Sequence, residues 1–171
     1  MKSKRLARMG FLTAVALTVF IIEARLPALS PFPGMKLGLS NIVTVWALFT
    51  LGTGEAAMIL LGRILLGSLF AGSVMSLLYS LSGGCLCFLL CAMLRGLFPE
   101  GLIWVLSILG AIAHNIGQLL VATAVLRSWS VWYYGPVLMA SGILTGTFTG
   151  LAAQSLYPRL KKAKFLGGNI S

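Results

Sequence analysis

The chain has 171 residues, of which 58% are hydrophobic and only 9% are charged. A soluble domain usually carries about 25% charged residues, so this composition excludes an ordinary soluble protein and predicts a single integral membrane domain over residues 1–171. The net charge of +10 does not indicate nucleic-acid binding, because the basic residues gather at the two ends of the chain rather than along a groove with stacking aromatic residues.

Six apolar segments follow one another along the chain and predict an all-α bundle of six transmembrane helices. The expected spans are about 8–24, 37–53, 56–79, 82–98, 102–126 and 132–156, followed by a basic tail at 157–171. The first segment also resembles a secretory signal peptide. A weak cleavage pattern and the five apolar segments after it favour a retained span.

The basic residues predict the orientation of this bundle. The two terminal clusters are Lys2, Lys4, Arg5 and Arg8, and Arg159, Lys161, Lys162 and Lys164. Six spans would place Arg95 on the same side as both clusters, and Arg25, Lys36 and Arg127 on the other side. Basic residues are enriched in cytoplasmic segments. We therefore expect a multi-pass protein of the inner (cytoplasmic) membrane with both termini in the cytoplasm.

Small residues recur at a spacing of four in the first and sixth spans, which predicts close helix contacts in lipid. The sixth span carries Gly142, Gly146 and Gly150 in this register. The first span carries Gly10, Ala14 and Thr18. Two interpretations stay open for the face on the first span, namely packing inside the bundle and docking of another membrane protein.

Polar residues interrupt the fifth span near its middle. His114 is the only histidine of the chain, and Asn115 and Gln118 follow it closely. At about 100° per residue, His114 and Gln118 share one stripe with Ser107, and Asn115 lies on its flank. Such groups lack partners in lipid, so they face the bundle interior or a wet cavity. The stripe serves either as interhelical hydrogen bonding or as part of a ligand site.

Further polar residues are expected at a similar depth and suggest an outward-facing cavity. The ligand-binding candidates are His114, Asn115, Gln118, Asn41, Lys36, Glu23, Ser80, Ser82 and Arg63. Lys36 favours an anionic ligand. The proline-rich connection 23–36 is either a lid over this cavity or a stiff connector. Arg63 either extends to the inner headgroups, pairs with Glu55, or contacts a ligand anion.

Missing residue types limit the chemistry. The chain has no aspartate, so it lacks the carboxylate clusters that hold Mg²⁺ around a diphosphate. It also lacks an ATP-binding loop and a serine in a nucleophile elbow. Cys85, Cys87 and Cys91 do not have the spacing of a zinc site. We expect no metal, no cofactor and no catalytic residues, and therefore a protein that is not an enzyme by itself.

Four short motifs carry a family resemblance over about residues 8 to 157. They are PGMKLGLSN at 33–41, GRILLG at 62–67, SLSGG at 80–84 and GAIAHNIGQL at 110–119. Together they resemble the bacterial heptaprenyl diphosphate synthase component I family, also called the Gx transporter family. The family name implies a non-catalytic subunit of an isoprenoid- or menaquinone-forming synthase.

The family is also similar to the substrate-binding S components of energy-coupling factor (ECF) transporters. That similarity implies six helices, a vitamin or similar micronutrient bound from outside, and work with a transmembrane coupling protein and two ABC ATPases. It also implies that the face with Gly10 and Ala14 docks the coupling protein. Some relatives are associated with flavin-based extracellular electron transfer, which implies a flavin or quinone ligand.

From the residues and the resemblance together we predict an S-component-like subunit that binds a small molecule from the outer side. His114, Asn115 and Gln118 would supply hydrogen bonds, with Asn41 and Lys36 facing them. The alternative is an accessory membrane subunit of a prenyl synthase or of an electron-transfer system. A channel or secondary carrier is disfavoured, because we find neither an inverted repeat nor an acidic relay through the spans.

Overall fold

The computed structural model describes residues 2–25 and 36–162, which form six α-helices and two short 3-10 helices. The α-helices are α1 Lys2–Glu23, α2 Asn41–Thr50, α3 Thr53–Ala71, α4 Val74–Leu94, α5 Ile103–Leu126 and α6 Gly135–Lys162. The 3-10 helices, Glu100–Leu102 and Trp129–Tyr134, precede α5 and α6. No β-strand occurs in this described part of the chain, which confirms the all-α class.

Five of the helices are long and apolar enough to cross a membrane, judged by length and composition. Three of them are α1, α3 and α4. The other two are α5 and α6, each counted together with the 3-10 helix that precedes it. Large apolar side chains such as Leu69, Met93 and Phe148 remain 71 to 79% exposed on the outside of the bundle. Such a surface suits contact with lipid tails. The protein is therefore a multi-pass membrane protein.

The second predicted span is much shorter than expected. The sequence predicts a span over 37–53, whereas α2 has only 10 residues and is about 15 Å long, half the thickness of the hydrocarbon core. The backbone at Gly38 has a φ of 81°, which interrupts any helix that begins earlier. Eight residues of α2 are buried. Protein rather than lipid therefore surrounds this helix, and its apolar composition reflects burial in the bundle.

The boundary between α3 and α4 also differs from the prediction. Gly72 ends α3 in a left-handed conformation with a φ of 58°, as is typical of a helix C-terminus. Ser73 caps the N-terminus of α4, and its side chain accepts a hydrogen bond from the Ser76 backbone N–H. Ser80 and Ser82 therefore lie inside α4 and not in the connection. Hydropathy alone missed this boundary because the apolar residues continue across it.

Side-chain contacts define the two ends of the bundle. Arg5 pairs with Glu55 at 2.5 Å, so the starts of α1 and α3 lie together and these two helices run in parallel. Arg95, which follows α4, donates to the Leu48 carbonyl oxygen at 2.9 Å and to the Thr53 hydroxyl at 3.4 Å at the same end. The predicted grouping of Arg95 with the N-terminus is confirmed. The assignment of this end to the cytoplasm stays a prediction from the charge distribution.

The glycine stripe of α6 lies directly against α5. A Cβ atom at Gly150 would be 2.5 Å from the Trp104 Cα, and one at Gly146 would be 2.7 Å from the Ile108 Cα. A Cβ at Gly142 would meet the Asn115 side chain, also at 2.7 Å. Real Cβ atoms do not approach so closely, which confirms the predicted close contact along this face.

The small-residue face of α1 has no such neighbour. Gly10, Ala14 and Thr18 are all exposed, and no atom lies within 4 Å of a Cβ built at Gly10. The interpretation that this face packs against another helix of the bundle is therefore wrong for the described residues. Its docking to another protein stays a prediction.

Candidate functional site

Six polar side chains, from four helices and the segment before α2, form one group between the middle of the bundle and the end of α1. We call this group the polar cluster, and it consists of Glu23, Lys36, Asn41, Arg63, His114 and Gln118. All of its members except the half-buried Lys36 are 7% exposed or less. The cluster therefore contains charged and hydrogen-bonding groups that have been removed from both water and lipid.

A chain of hydrogen bonds links α3, α2 and α5 through this cluster. Arg63 Nη2 donates to Asn41 Oδ1 at 2.9 Å. The Asn41 amide nitrogen lies 3.1 Å from His114 Nδ1, and the Gln118 side-chain amide lies 2.9 Å from His114 Nε2. The stripe predicted on α5 thus joins Asn41, as expected, and also reaches Arg63 on α3.

These bonds determine which way each polar group faces. A neutral imidazole has one N–H and one acceptor nitrogen, so it cannot accept from two amide groups at once. The bond from Arg63 orients the Asn41 amide, whose N–H therefore faces Nδ1. One arrangement that fits has the proton of His114 on Nε2 and the Gln118 amide turned so that its oxygen accepts from it, since the oxygen and nitrogen of an amide exchange places on rotation. The ring also interacts with the Gly83 backbone.

The position of Arg63 follows from the short α2. Because α2 begins only at Asn41, its N-terminus meets the middle of α3, and Arg63 is 1% exposed there. The expectation that Arg63 extends to the inner headgroups is therefore wrong. Pairing with Glu55 is wrong as well, because that carboxylate contacts Arg5.

Two glycines hold the His114 ring, and sequence reasoning missed their role. A Cβ at Gly38 would lie 2.9 Å from His114 Cδ2, and one at Gly83 would lie 2.7 Å from His114 Cε1. Any larger residue at either position would displace the ring. Both glycines occur within the motifs that carry the family resemblance, which is the only signal in the sequence that pointed to them.

Two cations of the cluster, Lys36 and Arg63, lie over the ring of Phe20, and Glu23 interacts with both of them. Lys36 Nζ is 3.4 Å from the ring centroid and 3.3 Å from the Ser76 hydroxyl oxygen. Arg63 Cζ is 5.9 Å from the same centroid. The Glu23 carboxylate accepts from the Gly38 backbone N–H at 2.5 Å and interacts electrostatically with both cations. Two positive charges thus face one negative charge.

Several buried polar atoms of this region have no hydrogen-bond partner among the described residues. They are Arg63 Nε, Glu23 Oε2, Gln118 Oε1 and Ser40 Oγ. Each unpaired buried group costs about 1–3 kcal/mol, so water or a small molecule at these atoms would stabilise the folded protein.

The structure directs two of the predicted candidates, Asn115 and Ser82, away from the cluster. Asn115 donates to the Leu138 carbonyl oxygen of α6 at 2.5 Å, so it connects α5 to α6. Ser82 donates to the Gly117 carbonyl oxygen at 2.8 Å and connects α4 to α5. Asn115 faces away because 100° of rotation per residue carries it from the His114 side of α5 to the α6 side.

Ser80 lies on the face of α4 toward the cluster. It is buried within α4, one turn from Ser76, which contacts Lys36. It is also one turn from Gly84, where a Cβ would lie 3.6 Å from Arg63 Nη2.

Lys36 gives this site a pH dependence. Burial lowers the pKa of its ammonium group from the ordinary 10.5 to about 8, with Glu23 opposing the shift and Arg63 adding to it. Between these two values the unfolded chain holds more protons than the folded one, so stability increases as the pH rises through this window. We expect the Lys36→Met variant to lose that increase. Thermal unfolding of both proteins from pH 7.5 to 10.5 checks this, and equal pH profiles would contradict it.

Comparison with known families gives one match. The family model described as heptaprenyl diphosphate synthase component I matches residues 12–156. The matched region includes every described helix except the first turns of α1 and the last turns of α6, and it contains the whole polar cluster. A search of curated proteins found no match.

Proposed function

This chain belongs to the heptaprenyl diphosphate synthase component I family, and from this premise we propose that it is a non-catalytic membrane component of a prenyl diphosphate synthase system. The observation that carries the proposal is the family match across residues 12–156. The lack of aspartate in the chain supports a non-catalytic role, because diphosphate chemistry uses Mg²⁺ held by carboxylates. The basic termini would face the cytoplasm, where a soluble synthase subunit acts.

The polar cluster favours a second candidate function. In this candidate the protein is an S-component-like subunit that binds a small molecule, such as a vitamin, flavin or quinone, from the outer side of the inner membrane. Its partners would be an ECF coupling protein and two ABC ATPases. The buried polar atoms without partners favour this candidate, since a subunit that only anchors an enzyme has no need of them. The exposed face with Gly10, Ala14 and Thr18 would dock the coupling protein.

Native mass spectrometry of the protein, extracted gently from its own membranes, separates the two candidates. A ligand-free complex with a soluble synthase subunit supports the first candidate. A small-molecule adduct, or a complex with a coupling protein and ATPases, supports the second. A protein that carries neither partner nor adduct would contradict both.

The double variant His114→Ala/Gln118→Ala tests the role of the cluster in ligand binding. If the cluster binds a ligand, we expect the adduct to weaken at least tenfold, because Asn41 loses its partner on α5 and no longer holds Arg63 in place. If the cluster is only structural, unfolding becomes easier by about 1–3 kcal/mol, since each interhelical bond in a membrane contributes about 0.6–2 kcal/mol, and binding of partners does not change.

Asn115→Ala is the matched control on the same helix. It also removes a buried polar side chain, but one that bonds to α6 and not to the cluster. We expect it to lower stability and leave any adduct intact. Equal loss of the adduct in both variants would contradict the assignment of the site to the polar cluster.

A further inference from the structure

We propose that the polar cluster binds a small molecule that presents a single negative charge, such as a carboxylate, beside a neutral O–H or N–H group. The anionic group would lie between Lys36 and Arg63, and the neighbouring donor would bond to Glu23. This inference rests on the ligand-binding candidate for the function. It adds the chemical class of the ligand and the residue that contacts each part of it.

The charge balance of the cluster selects a monoanion. Lys36 and Arg63 approach the Phe20 ring at 3.4 and 5.9 Å, and Glu23 supplies the one carboxylate among the members of the cluster. Because His114 is neutral, the net charge of the cluster is one positive charge. This charge has no partner in buried surroundings, where an unpaired charge is costly. A single negative charge on the ligand would complete the balance.

A diphosphate fits this site poorly. Its two or three negative charges would exceed the one positive charge that the cluster offers. Mg²⁺ would ordinarily neutralise the excess, but Mg²⁺ sites at phosphates are built with carboxylates, and the Glu23 carboxylate already accepts from Gly38. The cluster is thus distinct in its chemistry from a prenyl diphosphate site.

The unpaired polar atoms of Arg63 and Glu23 indicate which two hydrogen-bonding groups the ligand carries. Arg63 Nε is a buried donor that has no acceptor within the part of the chain that the structure describes, and a carboxylate oxygen would satisfy it with a charge-assisted hydrogen bond. Among the described residues, Glu23 Oε2 has no hydrogen-bond donor of its own, although the Ser40 backbone N–H also interacts with this carboxylate; an O–H or N–H on the ligand would supply a donor to Oε2. This donor is neutral, because an ammonium group would restore the uncompensated positive charge.

Lys36 is the member of the cluster that can exchange its partner. Its contact with the Ser76 hydroxyl is long, at 3.3 Å, and Lys36 is the only cluster member that is not buried. A carboxylate would be a stronger partner than this neutral hydroxyl. The ligand would therefore enter from the side of Lys36.

Four small probes test this inference on the full-length protein in lipid nanodiscs. They are glycolate, which carries a carboxylate beside a hydroxyl, acetate, which lacks the hydroxyl, methyl glycolate, which lacks the charge, and pyrophosphate. At equal ionic strength we expect glycolate to raise the thermal unfolding midpoint most and acetate less. Methyl glycolate should produce no shift, and pyrophosphate should produce less than glycolate.

Three variants locate the response. Lys36→Met, which keeps an apolar chain over Phe20, should weaken glycolate binding at least tenfold. Arg25→Met, an exposed basic residue just beyond α1, is the control and should bind as the wild type does. Glu23→Gln removes the competing negative charge, so it should strengthen acetate binding, an effect opposite to that of general damage to the fold.

The inference is overturned if pyrophosphate or methyl glycolate matches glycolate, if no probe shifts the wild type, or if Lys36→Met and Arg25→Met behave alike. A neutral or cationic adduct in native mass spectrometry would overturn the monoanion and leave the ligand-binding candidate standing. Absence of both adduct and probe binding would remove the ligand-binding candidate together with the inference.

Discussion

Replacing Arg63 by methionine is expected to lower the free energy of unfolding by about 3 kcal/mol or more. Arg63 is 1% exposed and donates to Asn41, which in turn contacts His114. Its removal would leave the Asn41 oxygen unpaired and the buried Glu23 carboxylate with only Lys36 to balance it. Loss of a buried charged partner is costly because the groups that it contacted, here the Asn41 oxygen and the Glu23 carboxylate, stay out of water with fewer compensating interactions.

The measurement is reversible unfolding in mixed detergent micelles, followed by helical circular dichroism. Arg25→Met is the control, since an exposed residue away from such networks changes stability by about 0.5 kcal/mol or less. If Arg63→Met were as mild as Arg25→Met, the polar cluster would not be held together by Arg63.

A second substitution shows whether the charge of Glu23 is coupled to Arg63. In the wild type, Glu23→Gln leaves both Lys36 and Arg63 uncompensated, whereas in the Arg63→Met background it leaves only Lys36. We therefore expect it to cost less there than in the wild type, by about 1 kcal/mol or more, in the range of coupling energies seen for neighbouring residues. In the wild type, Glu23→Gln should not stabilise the protein. An additive result would mean that the two charges are not coupled.

Replacing Gly150 by alanine is expected to lower the free energy of unfolding by about 1–3 kcal/mol. The new Cβ would lie 2.5 Å from the Trp104 Cα, 2.9 Å from the Trp104 carbonyl oxygen and 2.8 Å from the Ser107 Cβ. Two of these three atoms belong to the backbone of α5, so no side chain can rotate away to make room. The two helices would have to separate along the Gly142–Gly150 face, with loss of contacts on both sides.

Gly54→Ala is the matched control for this substitution. Gly54 lies in the first turn of α3, and a Cβ there meets no atom within 4 Å. We expect the control to be neutral or to stabilise by up to about 1 kcal/mol, because alanine has a higher helix propensity than glycine. Unfolding of both variants under the same conditions gives the comparison, and equal effects would contradict a tight α5–α6 contact.

Helix ends and helix partners were the features that the sequence did not determine. Hydropathy averages over a window, so it joined the end of α3 to the start of α4 across Gly72 and Ser73. It also extended α2 beyond its 10 residues, because residues buried in protein are as apolar as residues facing lipid. The positive φ angles of Gly38 and Gly72, which end or delay the helices, depend on local backbone geometry and not on hydropathy.

The sequence by itself determined that the protein is an all-α membrane protein, that α6 would contact another helix through its glycines, and that His114 and Gln118 would be buried among polar partners. These are consequences of composition and of helical periodicity, which are local properties of the chain. Only the tertiary structure decided that Asn41 and Arg63 are those partners and that Asn115 turns to α6 instead. Such pairings depend on the distances between residues far apart in the chain, and one-residue shifts in a helix rotate a side chain by about 100°.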